Sequence, residues 1–106
     1  MAEVSKADWK LFTERVPAWQ ERYMEKLLKE YAGILAGKEQ ASARFWALKE
    51  RIDLDRKSVG VGLCLRKQTF VADLCAMARD GVITLDDLEG FSEDVILDVT
   101  PYLAKA

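Results

Sequence analysis

The sequence predicts an all-α domain, and three observations carry that prediction. Large apolar side chains recur at Trp9, Phe12, Val16, Trp19, Tyr23, Leu27, Tyr31 and Ile34, and these steps of three and four trace one face of a helix for about seven turns. Only two prolines and six glycines punctuate 106 residues, too few turn formers for a fold of many short strands. Ser5 with Asp8, Thr84 with Asp87, and Ser92 stand where helix N-termini need side-chain oxygens. The expected architecture is a compact bundle of three major helices, the first of them long, with one or two short C-terminal helices, forming a single domain over residues 1–106.

The first helix opens behind Ser5, at about Lys6. Pro17 interrupts it chemically, because it has no N–H for the Thr13 carbonyl and its ring crowds that group. The apolar stripe keeps its phase through this point, so a continuous kinked helix and two helices meeting at residues 14–17 both remain open. A straight helix of this length would reach roughly 46 Å, longer than so small a domain is wide. Met24, Leu28 and Leu35 add a second apolar edge, and Gly37, able to take the left-handed conformation, is expected to close the helix.

The second helix is expected over residues 40–56, with Ala41, Phe45, Leu48 and Ile52 facing inward and Trp46 at the side. Periodicity fails over 52–62, and the chain is expected to reverse near Lys57 to Gly60. The third helix is expected from about Val61 or Gly62 to Arg79. Its buried line is Leu63, Phe70, Leu74 and Met77, beside a second line of Cys64, Val71, Cys75 and Ala78, and Gly81 closes it. A short helix follows Thr84. A last one of about eight residues follows Ser92, with Val95, Ile96 and Val99 inward, and Pro101 stops it.

Composition narrows the chemistry. Histidine is absent, which removes a His-based nucleophile triad and the usual base at physiological pH. No residue set points to an enzyme, a metal or a cofactor. Cys64 and Cys75 lie too far apart along a helix for a disulfide and read as reduced, buried thiols. No apolar run is long enough to span a membrane, and with no signal peptide the expectation is a cytoplasmic protein.

Charge is uneven although the net charge is only -2. Residues 1–79 carry 15 basic and 11 acidic groups, whereas residues 80–106 carry seven acidic groups and one lysine. Asp86, Asp87, Asp94 and Asp98 are therefore candidate contacts for a basic protein partner, although acids in the first turn of short helices also satisfy the helix dipole. Arg51, Arg56, Lys57, Arg66 and Lys67 are candidate phosphate contacts, provided that antiparallel helices bring them together. Trp9, Phe12 and Trp19 become a hot spot for a protein partner if the N-terminal arm kinks away, and core if it folds back. The stretch DGVITLDDL at 80–88 looks like the second half of a calcium-binding helix-loop-helix. Ala76 and Ala78 would then stand at two ligand positions and Asp87 would replace the bidentate Glu, so turn chemistry and not metal binding is expected.

The succession WKLFTERVPAWQERYMEKLLKEYAGIL, FWALKERI and GVITLDDLEGFSEDV resembles small uncharacterised all-helical proteins of intestinal Firmicutes, often encoded beside plasmid or conjugative-element genes. The likeness covers residues 9–99 and includes no motif of known chemical role. It implies a bacterial cytoplasmic binding protein. The leading expectation is a non-enzymatic protein-interaction module whose partner is another protein or a second copy of itself. The alternatives are an accessory or anti-defence inhibitor acting on a nucleic-acid enzyme through the acidic C-terminal surface, and direct nucleic-acid binding by the basic 44–67 region.

Overall fold

Ser5 opens the longest element: its hydroxyl accepts the Asp8 N–H at 3.0 Å, and helix α1 runs without a break from Lys6 to Leu35. The computed structural model describes residues 4–103; the outer ends of the domain expected over 1–106 lie outside the described residues. Pro17 sits inside α1 and is exposed, so the position that interrupts the helical bonding lies away from the core. The described residues form four α-helices, α1, α2 (Ala41–Asp55), α3 (Phe70–Arg79) and α4 (Glu93–Val99), with 3-10 turns at Lys67–Thr69, Leu85–Leu88 and Thr100–Tyr102. No strand occurs among the described residues. Nor, among them, is any helix long and apolar enough to cross a membrane.

The N-terminal half of α1 carries the core. Phe12, Val16 and Trp19 pack with Phe70, Leu74 and Met77 of α3, with Leu88 and Phe91, and with Val95 and Val99 of α4. Phe12 and Phe70 meet edge-on with ring centres 4.9 Å apart, a favoured arrangement for two aromatic rings. Gly81 closes α3 at φ 78°, while the Val82 N–H reaches the Met77 carbonyl at 2.8 Å. This is the expected left-handed helix end. Gly37 behaves differently: its φ is not positive, and its N–H turns back to the Ile34 carbonyl at 3.2 Å. Here α1 ends in a tight right-handed turn instead of a left-handed one.

Further sequence expectations need correction. The third helix does not begin near residue 61; it begins at Phe70 after a 3-10 turn. The reason is distance. Gly60 lies against Tyr23 and Lys67 lies over Trp9, positions separated by about 21 Å along α1. Seven residues cover that distance only in extended form, at about 3.3 Å each. Cys64 lies in this extended stretch and is exposed, not buried; Cys75 is half-buried.

Another correction concerns α2, which buries no residue. Most of its expected inward line is turned outward, with Phe45 62% and Ile52 42% exposed, and of that line Leu48 alone is half-buried. The residues bonded across to α1 are Arg44, Arg51 and Asp55. Hairpin α1–α2 therefore projects from the body, and the molecule measures 53 × 27 × 20 Å. Its radius of gyration is 16.2 Å, against about 13 Å for a compact chain of 100 residues.

Candidate docking surface

The hairpin is held by polar contacts. Arg44 donates to the Leu35 carbonyl at 2.8 Å, an acceptor that the end of α1 leaves without a helical partner, and to the Glu39 carbonyl of the connecting loop at 2.9 Å. Arg51 bridges Glu30 at 2.7 Å and Asp55 at 2.9 Å. The Tyr31 hydroxyl donates to Asp55 at 2.6 Å. Burial first, then this hydrogen bond and the Asp55 charge, push the Tyr31 phenol up to about 12. Arg51 also lies 5.8 Å from the Tyr31 ring centre, within cation–π range.

Leu27 is buried and Ile34 and Leu48 are half-buried, but with these polar groups on the meeting line six large apolar side chains of the hairpin face solvent. Leu28, Leu35, Phe45, Trp46, Ile52 and Leu54 are 42–65% exposed. They make up six of the ten large hydrophobics exposed among the described residues. Phe45 and Trp46 meet edge-on with centres 5.0 Å apart. A shallow groove of about 490 Å³ runs along one flank, floored by Ile34, Ala47 and Leu54 and bordered by Glu50 and Lys57. Sequence reasoning assigned Phe45 and Ile52 to the interior. The available signal was that apolar residues of α2 occur on every side of the helix, so no single stripe can bury them all.

The structure separates the other candidate residues. Phe12 is fully buried and Trp19 is 4% exposed, so both belong to the core, while Trp9 is half-buried at its edge. Asp87 is engaged within the fold. Arg22 forks onto its carboxylate at 2.8 and 3.1 Å, and the Thr84 N–H donates to it at 2.8 Å. Burial opposes its ionisation, but Arg22 and Thr84 outweigh that and hold the carboxyl below the usual carboxylate range. Arg15 adds hydrogen bonds to the Asp87 and Glu89 carbonyls at 3.1 and 2.5 Å. Asp86, Asp94 and Asp98 remain exposed. Asp94 and Asp98 border a cleft of about 450 Å³ that is floored by Phe70 and Val95 and also lined by Asp8 and Lys67.

The basic residues do not converge. Arg51 pairs with Glu30, and Lys67 lies 6.0 Å from the Trp9 ring centre. Positions 9 and 30 are about 31 Å apart along α1, which spreads the two cations over most of the helix. Arg56 approaches Asp53 at 3.9 Å, Lys57 borders the hairpin groove, and Arg66 is exposed ahead of the 3-10 turn. The extended crossing along α1 is what carries Arg66 and Lys67 away from Arg51. No protein-family model, curated protein or solved structure matches this chain.

Proposed function

We propose that this chain is a non-enzymatic protein-interaction module whose contact surface is the α1–α2 hairpin. One observation carries the reading: α2 buries none of its residues, yet it presents Phe45, Trp46, Ile52 and Leu54 to solvent. Helices in small domains derive most of their stability from packing an apolar face, and clustered exposed apolar side chains mark contact sites. Large aromatic side chains such as Trp46 are also the commonest anchors at protein interfaces. The bacterial cytoplasmic setting implied by the resemblance to mobile-element-associated proteins belongs to the same proposal.

A photo-crosslinking residue placed at position 46 tests it in cells. The reading expects discrete protein adducts from position 46 and none from position 97, where exposed Leu97 on α4 serves as the control. No adduct at 46, or equal adducts at both, overturns it.

The second reading, a regulator of a nucleic-acid enzyme acting through its acidic face, is supported by the solvent-facing carboxylates of Asp86, Asp94 and Asp98. It expects that reversing these three charges abolishes binding to a basic partner while the helical signal stays intact. Direct nucleic-acid binding draws least support, because its cations are scattered and Arg51 is shared with two carboxylates.

A further inference from the structure

We propose that the hairpin flank carrying Leu28, Leu35, Phe45 and Ile52 binds the same flank of a second copy of this chain, forming a four-helix bundle about a two-fold axis. This rests on the reading of the hairpin as the contact surface, and it names the occupant.

Helical rotation places the four side chains together. The groove residues Ile34, Ala47 and Leu54 and the Arg51–Glu30 pair mark one flank of the hairpin. At 100° per residue, Leu28 and Leu35 fall on the other flank of α1, and Phe45 and Ile52 fall on the other flank of α2. Each pair is seven residues apart, the repeat that lets antiparallel helices interlock in four-helix bundles. These side chains are 58%, 49%, 62% and 42% exposed, so the stripe is open along its length.

Charge argues for a second copy over a strongly charged partner. Residues 24–55 carry six basic and six acidic side chains, a balance of zero. A highly basic or acidic partner gains no steering from such a surface, whereas a neutral face meets its own copy without repulsion. Lys49 and Asp53 pair within the hairpin at 2.6 Å and border the stripe with opposite signs, as a polar rim around an apolar centre does.

Area sets the strength. Fifteen residues of α2 span about 22 Å, and two helices side by side are about 20 Å across. The face then covers on the order of 450 Å² per copy and about 900 Å² in the pair, at the low end for specific association. A two-fold contact uses one patch twice. The proposed dimer is therefore reversible and forms in the micromolar range or above.

Sedimentation equilibrium from about 1 to about 500 µM tests it, with reductant present because exposed Cys64 would otherwise link copies covalently. The expected result is an average mass that rises from monomer toward dimer with concentration. Phe45→Glu should raise the dissociation constant at least tenfold and Leu97→Glu should leave it unchanged, with helical circular dichroism preserved in both. Ile52→Lys repeats the test should Phe45→Glu not fold. A wild-type chain monomeric throughout, or a dimer indifferent to both hairpin substitutions, overturns the proposal. If self-association is absent while position 46 still crosslinks to other proteins, only the second copy is lost as occupant; if neither is seen, the hairpin reading falls with it.

Discussion

The Asp8 carboxylate accepts the backbone N–H of Ser92 at 2.8 Å, joining positions 84 apart in the chain. Asp8 is 4% exposed and stands where the capping pair with Ser5 leads one to expect a local return bond. Its carboxylate instead serves the start of α4, where Ser92 makes no side-chain cap of its own. A residue of the first turn of α1 thus closes the far end of the fold. Asp8→Ala should cost about 1 kcal/mol by removing this part-buried hydrogen bond. For a domain of this size each kcal/mol lowers the melting temperature by roughly 4–8 °C, and Asp8→Asn, which keeps an acceptor oxygen, should lose less. Thermal melts followed by circular dichroism measure both.

Asp87 makes stability depend on acid. Its folded pKa lies below the unfolded value, so its contribution is fully present above an unfolded pKa of about 4 and is lost as pH falls through the folded value. Asp87→Asn should lower stability at pH 7 by about 1 kcal/mol, the scale of a lost helix cap; the half-exposed Arg22 adds little beyond that. The difference between variant and wild type should vanish in strong acid. Urea midpoints at neutral and acid pH decide it, and an unchanged gap would refute the assignment.

Gly60 is required by contact and not by backbone angle. A methyl group there would stand 2.3 Å from the Tyr23 ring, well inside van der Waals contact. Gly60→Ala should destabilise by about 1–3 kcal/mol through overpacking. Most of that penalty should disappear in a Tyr23→Ala background, since the two positions share one contact. Denaturant titration of the four chains gives the coupling directly.

Tyr31 gives the hairpin its own alkaline limit. With the phenol pushed up to about 12, its contribution holds below the unfolded value of about 10 and is lost as pH rises toward 12. Ultraviolet titration should show a tyrosine step near 12 that Tyr31→Phe removes. At neutral pH the same substitution should cost about 1 kcal/mol, the net worth of one hydrogen bond.

The elements legible in the sequence were those whose signal is local. The stripe from Trp9 to Trp19, the Thr84–Asp87 cap and the Gly81 helix end all follow from spacing and residue type, and each is found in place. The inward face of α2 was not legible. Hydrophobic spacing selected Phe45 and Ile52, whereas the contact is made by Arg44, Arg51 and Asp55 reaching Leu35, Glu30 and Tyr31. A polar interface leaves no apolar periodicity to read. The start of α3 was hidden for a different reason: the extended crossing from Gly60 to Lys67 is imposed by where Tyr23 and Trp9 sit on α1. Of the candidate contacts, the charges were legible as charges. Their pairing was not, and pairing is what commits Asp87 to the fold and disperses the cations.

One helix serves two parts of unequal cohesion. Between Phe12 and Trp19, one face of α1 is embedded in an apolar core; beyond Leu27, its neighbours are a helix with no buried residue and a set of ion pairs. The amide protons of α2 and of the outer turns of α1 should therefore exchange with solvent through openings that leave the core closed, separating the chain into a fast and a slow cooperative unit. Sequence change is filtered by the same division: the outer hairpin can exchange its solvent-facing side chains without disturbing the packing around Phe12, which makes it the part of the molecule best placed to acquire a new contact.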